Sequence, residues 1–468
     1  MSGAGTPQPG SLYVSEAKVY PRAVSGVFAR WRWGLVALTQ SQFYGLPWLQ
    51  WNGRQAVLFD LETPRFYVFG LVLHPQDLIF LAGLLVVSAL ALFFFTAVAG
   101  RLWCGYACPQ TVYTEMFLWI ERRTEGDRSA RIRLDQGPWS LQKAARKGAK
   151  HGLWLLLAVV TGFTFVGYFL PVRSLLAELA AGGLAAWPAF WVAFYALATY
   201  GNAGWLREQI CKYMCPYARF QSTLIDADSL VIAYDTGRGE PRGSRPRQAV
   251  PAERGLGDCV DCTLCVQVCP TGIDIRNGLQ NECIGCAACI DVCDGVMDKM
   301  GYAPGLIRYG TARGMAEGLG RAEMLRRVLR PRVWVYGALL LLAAGAMVAG
   351  LALRAPVVMD VMRDRGALAR QGEDGAIENT YRLQLLNRLE REAGYRAEAH
   401  GLDGLQLLRA QTWTLAPGAV RSYTATLSLP QAAAAALAPG AHAIEWRLFA
   451  PGQTEPVARE RSTFVVPR

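Results

Sequence analysis

The chain has 468 residues, a hydrophobic fraction of 52% and a formal net charge of +11 at pH 7. This length leaves room for several domains. The mean hydropathy of +0.17 is high for a soluble protein but ordinary for a membrane protein with soluble parts. The charge excess alone would suit a nucleic-acid partner, but the positions of the basic residues, described below, exclude that interpretation.

Five apolar segments are long enough, or nearly so, to cross the ~30 Å hydrocarbon core of a bilayer. They are Gly34–Trp51, Leu78–Ala99, Gly152–Leu170, Ala185–Trp205 and Val333–Leu353. Polar residues at 39–42 interrupt the first segment, so a buried or interfacial helix is the alternative there. Residues 1–33 are polar, and no cleavable signal peptide is predicted in them. The sequence therefore predicts an α-helical bundle of five spans, four of them within residues 34–206.

The basic residues are concentrated in two connecting loops. Residues 101–150 carry ten Lys and Arg, and residues 207–332 carry seventeen, whereas the connectors after the first and third segments hold only Arg54, Arg65 and Arg173. By the positive-inside rule, this asymmetry places the N-terminus and both basic loops in the cytoplasm and the C-terminal tail outside. The predicted partner of the basic excess is therefore anionic membrane lipid and not nucleic acid.

Eight of the twelve cysteines repeat the spacing C-x2-C-x2-C-x3-C twice. In this pattern three thiolates bind irons of one [4Fe–4S] cube and the fourth reaches the other cube. The first cluster is thus predicted to be held by Cys259, Cys262, Cys265 and Cys293, and the second by Cys283, Cys286, Cys289 and Cys269. A disulfide scaffold conflicts with the cytoplasmic side, and structural zinc does not use this spacing twice. Because Asp294 replaces proline after the last cysteine, a three-iron second cluster is the alternative.

The same motif predicts a small dicluster ferredoxin-like domain at residues 258–300, inserted between spans four and five. So short a region cannot bury a sizeable core, and the clusters would supply its cross-links. Residues 207–257 and 301–332 are predicted as cytoplasmic linkers, with the Gly/Pro/Arg-rich stretch 237–257 as a tether.

The other four cysteines form two C-x3-C-P motifs, Cys104 with Cys108 and Cys211 with Cys215, each at the cytoplasmic end of a predicted span. The prolines fit the first position of a helix, which would leave Cys108 and Cys215 as N-caps. The helix dipole favours a thiolate there. If the two spans are neighbours, up to four soft ligands converge, which suits Cu(I), zinc or an iron–sulfur cluster. A redox-active dithiol and buried structural cysteines are the alternatives.

The tail alternates apolar and polar residues, as in Tyr381-Leu383-Leu385 and Ile444-Trp446-Leu448, between turn-prone residues. This pattern predicts an extracytoplasmic immunoglobulin-like β-sandwich at residues 356–468.

Five stretches are similar to the FixG/CcoG/RdxA family of cytochrome oxidase accessory proteins, which belong to bacterial inner membranes. They are RLWCGYACPQTVYTEMFLWIER, WNGRQAVLFD, TYGNAGWLREQICKYMCPYARFQ, YDTGRGEPRGSR and, in the tail, RDRGALARQGEDGAIENTYRL. The resemblance implies a role in the assembly of a C-family (cbb-type) haem–copper oxidase, by reduction of Cu(II) to Cu(I). The partners it implies are a cytosolic electron donor, the oxidase catalytic subunit or copper-delivery proteins, and a second copy of the chain.

These observations together predict an iron–sulfur electron-transfer protein whose copper substrate is held near Cys104, Cys108, Cys211 and Cys215. One alternative is a quinol-linked electron conduit to a respiratory reductase, since accessory proteins of that kind share C-x3-C-P pairs and two clusters. The other is a non-catalytic scaffold that recruits oxidase subunits through its sandwich. Cluster-ligand variants that keep the protein but lose copper reduction would separate the enzyme from the scaffold, and quinol oxidation by the purified protein would separate the conduit from the copper reductase.

Overall fold

The computed structural model describes residues 18–248, 252–364, 366, 369–372, 374–409 and 412–467. Residues 1–17 of the predicted N-terminal segment, residues 249–251 of the tether and four positions in the tail stretch 363–383 lie outside these ranges. The described residues form two compact units, one within residues 18–49 and 84–344 and the other within residues 50–83 and 345–467.

The first unit is mostly helical. Its helices, in chain order, are α1 Val27–Gly45, α2 Leu78–Ala99, α3 Leu102–Tyr106, α4 Pro109–Glu125, α5 Arg128–Gln136, α6 Leu141–Val166, α7 Val172–Ala180, α8 Ala186–Thr199, α9 Pro216–Leu224, α10 Thr236–Gly239, α11 Leu264–Val268, α12 Ala288–Met300, α13 Ala312–Ala316, α14 Arg321–Val328 and α15 Pro331–Ala352. Helices α2 and α15 each have one end in the second unit. Two π-helical turns, Tyr200–Leu206 and Ile210–Met214, connect α8 to α9.

Three helices in the described part of the chain are long and apolar enough to cross a membrane, namely Pro75–Ala99 (α2 and the turn before it), α6 and α15. The predictions for the second and fifth segments match α2 and α15 closely. The first was wrong in its bounds, because α1 ends at Gly45 and Pro47, which lacks an N–H donor, lies in a 3₁₀ turn that follows. The fourth is a helix of 14 residues, α8, that continues as a π-turn. The count of five spans therefore stays a prediction.

The predicted linkers are ordered structure, which corrects their interpretation. Strand β6 (Val231–Tyr234) pairs antiparallel with β7 (Ile307–Gly310), so the two flanks of the cysteine motif meet in one small sheet. Part of the predicted tether also packs on the motif, since Gly243 N–H donates to the Cys259 carbonyl at 3.2 Å. The apolar side chains of this sheet and of α12 form one core with the buried Cys259 and Cys265.

The basic loop 101–150 is likewise folded, into α3, α4, α5 and the start of α6, and a buried ion network holds it. Glu121 of α4 accepts hydrogen bonds from Arg131 of α5 at 2.7 Å and from Arg207, at the end of the first π-turn, at 3.1 Å. All three side chains are buried, so they are packing elements and not a solvated loop.

The second unit contains the predicted immunoglobulin-like sandwich. Its strands are β8 Val357–Arg363, β9 Arg370–Gln371, β10 Ile377–Asn387, β11 Ala393–His400, β12 Gln406–Leu407, β13 Thr412–Leu415, β14 Val420–Leu429, β15 Gly440–Phe449 and β16 Ala458–Val466, with a short helix α16 at Gln431–Ala435. All strands of the protein are numbered in chain order. One sheet has the order β12-β14-β10-β8 with β9 paired to β10, and the other β13-β11-β15-β16. The alternating residues Tyr381, Leu383 and Trp446 are fully buried between them, as predicted.

Residues 50–73 form five short strands in this same unit, an arrangement that sequence analysis missed. They are β1 Gln50–Trp51, β2 Arg54–Gln55, β3 Val57–Asp60, β4 Arg65–Val68 and β5 Leu71–Leu73. Asn52 and Gly53 have φ values of 49° and 77°, which suit the tight turn between β1 and β2. Trp51, Asn52 and Arg54 all donate to the carboxylate of Glu390 in the sandwich. The segment after the first predicted span is thereby attached to the tail.

Candidate iron–sulfur and thiol sites

The two C-x2-C-x2-C turns have the same backbone conformation. In the first turn Asp261 and Thr263, on either side of Cys262, have φ values of 52° and 56°. In the second turn Gly285 and Ala287, on either side of Cys286, have φ values of 71° and 58°. Left-handed residues other than glycine are uncommon, and a β-branched residue there is a true outlier. Strained conformations of this kind persist only where the surrounding structure imposes them. Here they bend each turn around a cavity.

Each turn borders a small cavity whose cysteines come from both halves of the motif. The first cavity is lined by Cys259, Cys262, Cys265 and Cys293. The second is lined by Cys269, Cys283, Cys286 and Cys289, with Cys265 also at its wall. The structure thus groups the cysteines in the two sets proposed from spacing, with the fourth member of each set supplied by the other half of the motif.

The chemistry of these thiols fits an iron–sulfur cluster. Burial raises the pKa of Cys283 to about 12, and the neighbouring thiols of Cys286 and Cys269 add to the rise. Burial also raises the pKa of Cys293 to about 12, together with Cys265, Asp294, Cys259 and Cys262. Thiols that are buried and crowded in this way ionise only when a cation stabilises them, as the irons of a cluster would.

Within the described residues, no three His, Cys, Asp or Glu side chains are arranged to hold a single metal ion. That finding does not conflict with the two sets, because each iron of a cube takes one cysteine and the four sulfurs need not meet at one point. It does mean that the four C-x3-C-P thiols do not together form a site for a single metal ion, which is what the sequence predicts if all four converge.

The C-x3-C-P motifs have the helix geometry expected from their prolines. Pro109 and Pro216 begin α4 and α9, and Cys108 and Cys215 are the extended N-cap residues before them. Cys104 lies in α3 and Cys211 in the second π-turn. Each motif therefore puts its second thiol at a helix N-terminus, where the dipole stabilises negative charge.

The four thiols lie in one electrostatic neighbourhood. Burial raises the pKa of Cys104 to about 12, and the thiols of Cys108, Cys211 and Cys215 contribute to the rise. Burial likewise raises the pKa of Cys211 to about 11, with further contributions from Cys108 and Cys215. A soft metal ion that binds Cys104 or Cys211 must therefore displace a proton at neutral pH.

Gln221 of α9 is a buried partner of this site that sequence analysis did not identify. The Cys104 thiol donates to its Oε1 at 3.3 Å, and its Nε2 donates to the Gly100 carbonyl at 2.9 Å and to Thr96 Oγ1 at 3.2 Å. This fixed amide holds Cys104 in place through contacts with the end of α2. The only sequence signal is that Gln221 falls five residues after Pro216, on the helix that the second motif begins.

A cavity of about 270 Å³ lies between α1, α4 and the second cysteine turn. Its wall includes Cys211 of the thiol pairs and Cys286 of the second cysteine set, with Gln110, Glu115 and Arg122 among its polar residues. One cysteine of each kind of sulfur site therefore borders the same cavity.

Comparisons with known proteins agree with this division of the chain. Models of a 4Fe-4S dicluster domain, of a 4Fe-4S binding domain and of the Ig-like fold at the C-terminal of FixG match residues 206–312, 81–125 and 347–467, respectively. The nitrogen fixation protein FixG of Rhizobium meliloti is 41% identical over 411 residues, which cover 81% of this chain and 78% of that protein.

Two further relatives come from Cereibacter sphaeroides. Protein RdxB is 42% identical over 391 residues, which cover 81% of each chain, and protein RdxA is 40% identical over 407 residues, which cover 84% of this chain and 85% of that protein. A crystal structure of a FixG-related protein from Vibrio parahaemolyticus, 25% identical, covers 24% of this chain and 95% of that chain with a TM-score of 0.21.

Proposed function

The chain belongs to the FixG/RdxA family of iron–sulfur electron-transfer proteins, and from this premise we propose that it reduces Cu(II) to Cu(I) at the C-x3-C-P thiols. The Cu(I) would serve the assembly of a cbb-type haem–copper cytochrome c oxidase, through its catalytic subunit or a copper-delivery protein. A cytosolic donor would supply the electrons. The protein would act in a bacterial inner membrane, with the cysteine sets on the cytoplasmic side.

The observation that carries this proposal is the shared cavity between α1, α4 and the second cysteine turn. A copper ion that enters it would lie near Cys211 of the thiol pairs and Cys286 of the second cysteine set, which both border the cavity. Its volume of about 270 Å³ admits a hydrated or weakly chelated ion. The route by which copper enters and the cluster that would supply its electrons would therefore meet at this cavity.

The residues at this site suit the product of the reaction. When bound, the clusters supply electrons one at a time, which is the number that each Cu(II) requires. Thiolates prefer the soft Cu(I) ion to Cu(II), so binding by Cys104, Cys108, Cys211 or Cys215 favours the reduced state. Each thiol releases its proton when it binds copper, and the helix N-termini at Cys108 and Cys215 stabilise the resulting charge.

We also propose a topology of five spans, which contacts within each unit support. Arg22 N–H donates to the Gln267 carbonyl at 2.8 Å, so the segment before α1 shares a side with the ferredoxin-like domain. The segment after α1 contacts Glu390 in the tail. If the tail lies outside, as the positive-inside rule predicts, then α1 must cross the bilayer despite its polar residues.

The test is replacement of Cys211 and Cys215 by serine in the full-length protein, purified without oxygen. We expect nearly unchanged iron content, because both residues lie outside the two cysteine cavities, and a sharp loss of Cu(II) reduction and Cu(I) retention, because serine lacks the soft sulfur. Ser222→Ala is the control on α9, since in the described part of the chain that hydroxyl donates to a carbonyl of its own helix, that of Arg219. Parental copper reduction by the double variant would place copper elsewhere.

A second candidate function arises from the match of residues 81–125 to a 4Fe-4S binding domain, because that stretch includes Cys104 and Cys108. The four thiols would then hold a third cluster, in a quinol-linked conduit that does not reduce copper. Iron analysis separates the two functions. Two cubes give about eight irons per chain, and a third cube gives about twelve.

A further inference from the structure

Arg101, the residue that precedes α3, is a buried cation with an unusual set of partners. Only 8% of its surface is exposed. Its guanidinium donates to the carbonyls of Asn281, Cys283 and Ala218. In the part of the chain that the structure describes, no carboxylate forms an ion pair with it. A buried charge is normally paired with an opposite one, because desolvation is costly. Arg101 therefore lacks the counter-charge that its burial requires.

The carbonyls that Arg101 contacts belong to the two kinds of sulfur site. Asn281 and Cys283 lie in the second cysteine turn, whereas Ala218 follows the second C-x3-C-P motif on α9. Arg101 itself is three residues before Cys104 of the first motif. One guanidinium thus connects the second cysteine set with both thiol pairs.

Close backbone packing reinforces this connection. A Cβ at Gly105, the residue after Cys104, would lie 2.8 Å from the backbone nitrogen of Cys286. A Cβ at Gly285, where φ is +71°, would lie 3.1 Å from the Arg101 carbonyl oxygen. Helix α3 and the second cysteine turn are therefore in direct contact where only glycine fits.

Cysteines that become negative on metal binding are neighbours of Arg101. Cys104 lies three residues after it in the chain, and the carbonyl of Cys283 accepts a hydrogen bond from its guanidinium at 3.4 Å. An iron–sulfur cluster held by four thiolates carries net negative charge, and so does a Cu(I) dithiolate. Either one would complete the pairing that Arg101 lacks among the carboxylates.

We propose that Arg101 is a positioning residue that provides the shared counter-charge for the second cysteine set and for the thiol pairs. This contact makes the second set, and not the first, the one that exchanges electrons with copper. Only the second part of this inference, the electron exchange between the second set and copper, rests on the proposed copper reduction. The counter-charge itself is independent of what the thiol pairs bind.

The experiment compares Arg101→Gln and Arg101→Lys in the full-length protein with its clusters. Arg123→Gln is the matched control, because Arg123 packs over Trp119 on α4, 5.2 Å from its ring centroid, and contacts neither site. Three quantities are measured: iron content, the midpoint potential of each cluster by EPR-monitored titration, and the rate at which Cu(II) reoxidises the reduced protein. Gly105→Ala tests the packing contact, with Gly295→Ala, which has open space around it, as its control.

We expect Arg101→Gln to lower the potential of one cluster and leave the other unchanged, because the reduced state loses its counter-charge. Lysine should restore most of the shift. Reoxidation by Cu(II) should slow several-fold in Arg101→Gln and Gly105→Ala, and in neither control. Loss of about half the iron in Arg101→Gln alone, with retention in Arg101→Lys, would also support the inference.

Equal shifts of both potentials, or no shift, would overturn the counter-charge. Loss of all iron in both Arg101 variants would overturn it too, since it would show a purely structural role. If one potential shifts but the reoxidation rate is parental in Arg101→Gln and Gly105→Ala, the electron contact is overturned and the counter-charge stands. A parental protein that reduces no copper refutes the proposed function, while the titration still decides the role of Arg101.

Discussion

Replacement of Glu121 by glutamine should destabilise the protein and disturb the site at Cys211. Glu121 is 1% exposed and is the anion at the centre of the network that contains Arg131, Arg207 and Lys150. Glutamine keeps its size but removes the carboxylate from Arg131 and Arg207, whereas Lys150 keeps Glu125 at 2.9 Å. Removal of one member of a buried ion pair typically costs about 3–5 kcal/mol. We expect a loss of that order in the free energy of unfolding.

The same replacement of Glu121 should also change the position of the Cys211 thiol, through its effect on Arg207. This residue has a φ of +39°, and conformations of that kind cost about 1–3 kcal/mol and persist only when neighbouring contacts impose them. Glu121 provides such a contact, with hydrogen bonds of 3.1 and 3.2 Å to the two terminal nitrogens of Arg207. Without it the backbone at Arg207 can relax, and Cys211, four residues later, should shift with it.

The assay is thermal unfolding in detergent together with alkylation of Cys211 in copper-free protein, quantified by mass spectrometry. Glu317→Gln is the control, because its 2.8 Å ion pair with Arg327 is exposed, lies outside the cavity that Cys211 borders and should contribute no more than about 1 kcal/mol. Equal stability of the two variants, with unchanged alkylation of Cys211, would refute the reasoning.

The pH dependence has a defined sign. Burial alone would raise the pKa of Glu121, but Arg207, then Arg131 and Lys150, hold it below its usual value. A carboxyl group with a lowered folded-state pKa contributes stability above its unfolded-state pKa, and that stability is lost as the pH falls through the folded-state value. The parental protein should therefore keep this contribution at neutral pH and lose it only below the ordinary range of a glutamate, whereas the glutamine variant should lack it throughout.

Three further predictions concern the cofactor, the topology and the tail. Cys269→Ser should perturb the cluster of the second cavity and Cys293→Ser that of the first, each with loss of up to about four of eight irons; EPR of the two variants checks this crossover, and identical spectra would contradict it. Reporter fusions after Gly237 should be cytoplasmic and fusions after Gly366 periplasmic, and the same side for both would show that the charge argument or the fifth span is wrong. Glu390→Gln should loosen the segment at residues 50–55, seen as faster proteolysis there with an intact sandwich, and unchanged protection would show that other contacts hold it.

Features with a local physical cause could be predicted from the sequence. Pro109 and Pro216 fix the start of their helices, and the alternation around Tyr381 fixes which face of a strand is buried. The apolar stretch 78–99 needed only its length and composition. In each case the signal lies within a few turns of chain, where the residue types themselves impose the conformation.

Features that depend on distant partners could not be predicted. The stretch 237–257 has the composition of a tether, yet Arg238 pairs with Asp258 at 2.5 Å and Gly243 bonds the backbone of the first cysteine turn. Glu121 and Arg207 are 86 positions apart, and no periodicity connects them. The composition of a segment predicts its conformation in the absence of binding partners. Here a folded neighbour provides hydrogen-bond and ion-pair partners, and the segment becomes ordered on it. The turn at residues 50–55 is different, because its signal is local: Asn52 and Gly53 are typical of a tight hairpin turn, and it was missed although the sequence contains it.

The exposure of the two cysteine sets gives the direction in which electrons should move through this fold. Cys262 is an exposed cysteine of the first set, so a cytosolic donor can approach that set closely. The second set lies against α3 and the buried Arg101, in contact with the segment that carries Cys104. If the protein reduces copper as proposed, the first set is the one that an electron donor reaches and the second is the one next to the thiol pairs. We therefore expect the order donor, first set, second set, copper.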